Sequence, residues 1–213
     1  MGPMRTLPRI PAARRLNTLS FFATLALGTL ISGKALAQAQ PHKGQVTIAL
    51  ERVFGFHTWH TEIEGQEDRD ASAFGLLWLR SETAFHQPRA AVDFFVTDGL
   101  SLGGSLGFYS WSGDAERTGF LLYPRVGYGI SLGDSVTFWP RGGLTYFSEE
   151  PPGGDPEYTQ LAMSFEAMFV LWARRDWGIQ IAPTIDLGLS GEAGDADFSQ
   201  RALGVTFGML GSL

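Results

Sequence analysis

The feature that most constrains this chain is an apolar residue at every second position, sustained through several long segments. In residues 177–190, for example, the odd-numbered positions are apolar or proline, whereas the even-numbered positions are glycine, alanine or polar. Successive side chains of a β-strand point to opposite faces, so this pattern predicts strands with one apolar face.

Eight segments follow this pattern, and the connections between most of them alternate in length. The predicted strands are 44–57, 87–97, 100–111, 118–131, 134–147, 158–172, 177–190 and 198–213. Short turns at 97–99, 132–134 and 173–176 alternate with longer polar loops at 112–117, 148–157 and 191–197. Such alternation is typical of outer-membrane barrels, with short periplasmic turns and longer external loops. The sequence therefore predicts an all-β fold, an eight-stranded antiparallel up-and-down transmembrane β-barrel.

A further segment, 71–84, also resembles a strand. Both termini of a bacterial barrel face the periplasm, which makes the strand number even. We therefore interpret 58–86 as one long external loop, in which 71–84 forms a possible β-hairpin above the membrane.

The first 37 residues are typical of a secretory signal peptide. Four arginines precede an apolar run at 16–31, and Ala35-Leu36-Ala37 has the small residues of a cleavage site. A membrane anchor is the alternative, but the run is short and interrupted by polar residues. We expect cleavage after residue 37 and a single barrel domain over 38–213.

The charge and the absence of cysteine exclude several classes of protein. All 22 acidic residues but only 11 of the 16 basic residues lie after residue 37, which gives that part a net charge of −11. Nucleic-acid binding needs a basic surface, so no nucleic-acid partner is expected. With no cysteine, the chain has neither disulfides nor a lipid-modified cysteine.

The apolar face of the strands must be shielded from water, and we expect membrane lipid to cover it. A soluble β-sandwich would also alternate, but here the second face is mostly glycine, serine, threonine and scattered charges, which suit a dry core poorly. Aromatic residues near strand ends predict girdles at the two membrane interfaces. These are Tyr109, Trp111, Tyr146, Tyr158, Trp172 and Trp177.

The second face carries charges that are nearly balanced. The predicted lumen ion-pair network comprises Glu51, Arg89, Asp93, Arg125, Arg141, Glu166 and Asp186. Side chains fill an eight-stranded barrel, and buried charges must be paired. We expect a structural plug with no continuous pore; a functional relay is the alternative.

The hairpin 121–147 carries a proline in each strand, followed by an arginine. Proline cannot donate to a ladder, and a closed barrel has no edge where it would be harmless. We therefore expect a bulge or kink at Pro124 and Pro140, with Arg125 and Arg141 facing the acidic lumen residues.

Other candidate sites are weaker. His57, His60 and His86 lie in or beside the long loop, but no nucleophile motif such as G-x-S-x-G accompanies them, so no catalytic residue is assigned. The acidic loops lack EF-hand spacing, and we expect neither a metal site nor a cofactor. Their carboxylates could still bridge through divalent ions to the phosphates of surrounding lipopolysaccharide.

Segments 93–108, 119–132 and 202–213 resemble small bacterial outer-membrane β-barrel proteins of the eight-stranded type, such as the OmpA transmembrane domain, OmpX and OmpW. The resemblance implies a monomer in the outer membrane, surrounded by lipid and lipopolysaccharide. It also implies recognition of the last strand by the barrel-assembly machinery. That strand keeps apolar alternation but ends in Leu213, where the family usually has an aromatic residue.

These observations favour an integral outer-membrane protein, not an enzyme, with a filled lumen and a structural or surface-interaction role. A small porin-like channel for ions or apolar solutes is one alternative. A lipid-modifying barrel enzyme is another.

Overall fold

The computed structural model describes residues 41–76, 84–111, 117–150 and 158–213 of the chain. They form one antiparallel sheet that closes on itself where the last strand pairs with the first. The strands are β1 (Val46–Ile63), β2 (Arg69–Leu76), β3 (Arg89–Phe95), β4 (Leu100–Trp111), β5 (Arg117–Tyr128), β6 (Ile130–Ser131), β7 (Val136–Glu150), β8 (Tyr158–Trp172), β9 (Trp177–Ala193) and β10 (Ala196–Ser212). No helix within the described ranges is long and apolar enough to cross a membrane.

The ten strands occupy eight positions around the barrel wall. β1 pairs with β3 through Val46–Glu51 and with β2 through Phe54–Thr61, so β2 and β3 share one position at different heights. β6 continues β5 in the same register against β7. The predicted eight-stranded up-and-down barrel is therefore confirmed.

The region between β1 and β3 differs from the predicted external loop. β1 continues to Ile63 and β2 pairs with its second half, so residues 71–76 belong to the barrel sheet and not to a separate hairpin. Residues 77–83 of the predicted hairpin lie outside the described residues. A short 3₁₀ helix, Ala84–His86, then enters the lumen, where Phe85 and His86 are buried. Residues 58–86 are thus not wholly external.

Apolar side chains cover the outside of the barrel. Along β5 and β6, Phe120, Leu122, Val126, Tyr128 and Ile130 are all exposed, whereas Leu121, Tyr123 and Arg125 between them are buried. The stretch from Phe120 to Ile130 matches the ~9–11 residues that a tilted strand needs to cross the hydrocarbon. Such a continuous belt is the outer surface of a transmembrane barrel.

The lumen is filled in layers. At the turn end lies an apolar cluster that includes Phe95, Trp139, Met168, Val170 and Leu210. At the loop end lie two further clusters, which consist of Leu121, Tyr123 and Phe147 in one and Phe85, Ala162 and Ala202 in the other. The lumen is thus more apolar than the sequence pattern indicated. Charged side chains lie between these layers, and we call them the charged layer.

The two prolines interrupt pairing without shifting it. Between β5 and β7, strand pairing stops around Pro124 and resumes in the same register. It stops again around Pro140 and resumes, still in the same register, where β6 pairs with β7. On their other sides Pro124 pairs with Gly104 and Pro140 with Ala167. Of the predicted bulge or kink, the structure shows a local lapse in pairing at each proline but no bulge, because each proline removes one donor while the opposite neighbour keeps its strand in register.

Close approach of β5 and β7 beside the first lapse requires glycine. A Cβ added at Gly143 would collide with the Pro124 carbonyl oxygen and lie 2.9 Å from Arg125 Cα. A Cβ added at Gly142 would lie 3.1 Å from the Phe165 ring and in ordinary contact with the Ser164 carbonyl oxygen at 3.7 Å. That ring is exposed and free to shift.

We therefore expect Gly143→Ala to lower the free energy of unfolding by about 1–3 kcal/mol, the usual cost of overpacking. Urea titration of the refolded protein in lipid vesicles measures this change. Gly142→Ala is the matched control and should change stability by clearly less. Equal effects of the two substitutions would show that the β5–β7 approach does not constrain the wall.

Candidate functional site in the lumen

Arg125 is the centre of the charged layer. Its neighbours on the adjacent strands are Gly103 and Gly143, and a Cβ added at Gly103 would collide with the Asp93 carboxylate that Arg125 binds. Nη1 and Nη2 donate to the two carboxylate oxygens of Glu51 at 2.7 and 2.9 Å. Nε and Nη2 donate to Asp93 at 2.9 and 2.5 Å. One arginine on β5 thus binds carboxylates on β1 and β3 across the lumen, both in the strong bidentate arrangement.

Arg141 extends this network to β8. Its Nη1 donates to Glu51 Oε1 at 2.7 Å, and its Nη2 donates to Glu166 Oε2 at 2.6 Å. The guanidinium lies 5.2 Å from the centroid of the Trp139 ring, which belongs to the apolar layer below. Arg141 therefore joins the charged layer to the layer that fills the turn end.

A bulge in β1 adds Arg52, which the sequence pattern did not place in the lumen. Leu50 pairs with Met209 and Phe54 with Phe207, so three residues of β1 lie opposite one residue of β10. Within the bulge Arg52 has φ 52°, a left-handed conformation that costs a residue with a Cβ about 1–2 kcal/mol. The bulge turns Arg52 inward, directly after another inward residue.

Arg52 joins three parts of the structure. Nη1 donates to Asp186 Oδ2 at 3.0 Å and Nη2 donates to Glu166 Oε1 at 3.1 Å. Nη1 also donates to the Phe85 carbonyl oxygen at 2.5 Å. Arg52 therefore connects β1 to β8 and β9 and holds the 3₁₀ helix inside the lumen. These contacts offset the backbone strain.

Arg89 differs from the other three arginines. It is fully buried and lies directly opposite Glu51 in the β1–β3 register, but Glu51 is bound by Arg125 and Arg141. Its guanidinium lies 5.4 Å from the Tyr123 ring centroid. Among the described residues, none of its side-chain nitrogens has a hydrogen-bond partner.

The structure places all seven residues of the predicted network in the lumen, together with Arg52. The layer therefore holds four carboxylates and four guanidiniums. Arg52, Arg125 and Arg141 share the four carboxylates, and Arg89 completes the charge balance without a direct ion pair.

The predicted aromatic girdles need correction. Tyr146 and Trp177 are exposed on the outer face. Tyr109 and Tyr158 instead pack against the buried cluster at the loop end, where the Tyr109 hydroxyl donates to a Glu149 carboxylate oxygen.

Trp172 packs against the cluster at the turn end, and its Nε1 donates to Thr137 Oγ1 at 3.0 Å. The side chain of Trp111 lies outside the described residues. Near the strand ends alternation continues, so proximity to an end does not decide which face an aromatic residue takes.

The three histidines do not converge. His57 and His86 are buried in the lumen with their ring centroids 4.2 Å apart, whereas His60 lies on the outer surface. In the part of the chain that the structure describes, no group of three or more His, Asp or Glu side chains could hold a metal ion.

The different contacts of Arg125 and Arg89 predict different costs of substitution. Arg125→Met leaves buried carboxylates with fewer partners and should lower the free energy of unfolding by about 3–5 kcal/mol. Arg89→Met removes no hydrogen bond to a described residue and should cost at least about 2 kcal/mol less. Urea unfolding in vesicles compares the two. Equal costs would contradict the assigned network.

Comparison with known proteins supports the architecture. No family model matches the chain, and no curated protein matches it. Among solved structures, Neisserial surface protein A matches with a TM-score of 0.50 at 9% identity, over 79% of this chain and 97% of that one. OprG from Pseudomonas aeruginosa matches at 0.45 and 9% identity, over 83% and 99% of the two chains. The N-terminal β-barrel domain of Pseudomonas aeruginosa OprF matches at 0.41 and 15% identity, over 78% and 98%. The match to Neisserial surface protein A agrees with the fold that the strand pairing shows, a closed eight-stranded antiparallel β-barrel of the kind found in small outer-membrane proteins.

Proposed function

We propose that the protein is an integral protein of the bacterial outer membrane with a closed, non-conducting lumen. Its role is structural or that of a surface-interaction protein, with a rigid barrel that holds strand extensions outside the cell. The observation that carries this proposal is the charged layer sealed between apolar layers at both ends of the lumen.

The ion pairs that cross the lumen oppose the opening of a pore. Arg125 binds Glu51 and Asp93, and Arg141 binds Glu51 and Glu166, with each of these side chains almost completely buried. A water-filled path would have to separate such pairs or displace their side chains, and losing one partner of a buried pair costs about 3–5 kcal/mol. This favours the closed barrel over a small porin-like channel.

The strands that extend beyond the apolar belt support a role at the cell surface. β1 and β10 remain paired as far as Ile63 and Phe198, well past the last apolar outward residue of β1, Phe56. β2 pairs with β1 out to Arg69, and β9 with β10 out to the Ala193–Ala196 turn. A paired, ordered extension of this kind offers a fixed surface for interaction.

Single-channel recording in planar bilayers tests the proposal. We expect the wild-type protein to give no conductance steps above the bare bilayer. The double variant Arg125→Ser, Arg141→Ser removes two guanidiniums from the lumen and leaves Glu51, Asp93, Glu166 and the apolar layers, so we expect any current through it to be small and cation-selective.

Arg117→Ser is the matched control. Arg117 pairs with Glu149 at the rim and its side chain is 55% exposed. This variant should be as silent as the wild type. Steady conductance by the wild-type protein would overturn the proposal and favour the porin-like alternative. A change in lipid A mass that depends on the protein would favour the lipid-modifying enzyme.

A further inference from the structure

The outer face of β2, β1 and β10 changes from apolar to charged in ordered rows. Moving outward, the paired rows are Leu76–Phe54–Phe207, Phe74–Phe56–Val205, Ser72–Thr58–Leu203 and Asp70–His60–Arg201. Successive rows are two residues apart, which is about 6.8 Å along an antiparallel strand. The third row is therefore the boundary of the apolar belt, and the fourth lies at the level of lipid headgroups.

The fourth row is an organised cluster of both signs of charge. His60 Nδ1 lies 2.8 Å from Asp70 Oδ1, and His60 Nε2 lies 3.4 Å from Glu62 Oε1. Arg201 Nη2 donates to Glu62 Oε1 at 3.0 Å, and the arginine side chain remains 62% exposed. The hydrogen bond with Asp70 raises the pKa of His60, so the imidazolium persists to a higher pH.

His60, Asp70 and Arg201 line an open depression of about 540 Å³ on the outer surface of the barrel, and Glu62 lies beside it as the partner of Arg201. Thr58, Ser72 and Leu203 form its inner border, and His60, Asp70 and Arg201 its outer border. We call this depression the outer-rim site. It therefore offers hydrogen-bond donors and acceptors directly above an apolar surface.

We propose that the outer-rim site binds the phosphorylated sugar headgroup of a multiply acylated glycolipid of the outer leaflet, that is, lipopolysaccharide. Arg201 and His60 bind a headgroup phosphate, and Asp70 and Glu62 accept hydrogen bonds from sugar hydroxyls. The acyl chains lie along the apolar rows that end at Phe56, Phe74 and Val205. This inference rests on the proposed outer-membrane location but not on whether the lumen conducts.

The mixture of charges favours a glycolipid over a phospholipid. A phosphodiester headgroup such as that of phosphatidylglycerol carries few hydroxyls, and carboxylates beside it repel its phosphate. A phosphorylated sugar offers many hydroxyl donors together with phosphates, so both signs of charge at the site find partners. Charge-assisted hydrogen bonds of this type are stronger than neutral ones.

Native mass spectrometry of the detergent-refolded full chain tests the site. The protein is titrated with purified lipopolysaccharide, with its dephosphorylated form, and with phosphatidylglycerol. We expect wild-type protein to retain one lipopolysaccharide in preference to the other two. Arg201→Gln and His60→Gln should each weaken this retention by about tenfold, the effect of losing one charge-assisted hydrogen bond.

Arg117→Gln is the control, because Arg117 is also an exposed rim arginine paired with a glutamate but lies outside the site. It should retain lipopolysaccharide as the wild type does. Equal retention by all variants, or equal retention of phosphatidylglycerol, would overturn the inference. Heat-modifiable gel mobility and bilayer recording of the same samples separate this failure from failure of the proposed function.

Discussion

The structure depends on guanidinium–carboxylate pairs buried at the centre of a narrow barrel. An eight-stranded barrel has room for side chains but little for water, so its inward charges cannot rely on hydration. Arg52, Arg125 and Arg141 solve this by sharing Glu51, Asp93, Glu166 and Asp186, and each arginine binds carboxylates from two different strands. Other features follow from that arrangement. Gly103 and Gly143 flank Arg125 because a Cβ at either position would occupy the space that the network or the paired backbone needs.

The apolar layers and the bulge in β1 complete the charged layer. Trp139 lies beneath Arg141, and Phe85 lies above Arg52 and accepts its hydrogen bond. The layers on both sides exclude water and thereby strengthen the ion pairs, since Coulomb interactions grow as the local dielectric constant falls. The bulge supplies the fourth cation, so that the layer is balanced although the chain after residue 37 has a large negative charge. The buried lumen of the barrel is therefore electrically neutral, and the water-exposed parts are acidic.

Alternation with a period of two made the strands, the outer face and the inward charges predictable, because a regular strand cannot place neighbouring side chains on one face. Alternation does not predict the side-chain direction where the backbone is irregular. Arg52 follows Leu50 and precedes Phe54 in the even-numbered outward row, so strict alternation assigns it to lipid. An arginine on the lipid face costs about 2–4 kcal/mol at the midplane of a barrel. This cost could have indicated that Arg52 turns inward. Residues 85–87 are buried in the lumen, and no periodic pattern in the sequence predicts this. The prolines marked two lapses in strand pairing but no bulge, because losing a donor on one side does not shift the register.

Arg125 and Glu51 stabilise the barrel through each other and not only through packing. A double-mutant cycle with Arg125→Met, Glu51→Gln and the double variant, measured by urea unfolding in lipid vesicles, tests this directly. We expect a coupling free energy of at least about 2 kcal/mol, so that the double variant loses clearly less stability than the two single losses combined. Additivity within about 0.5 kcal/mol would contradict it, because side chains that act independently add in this way.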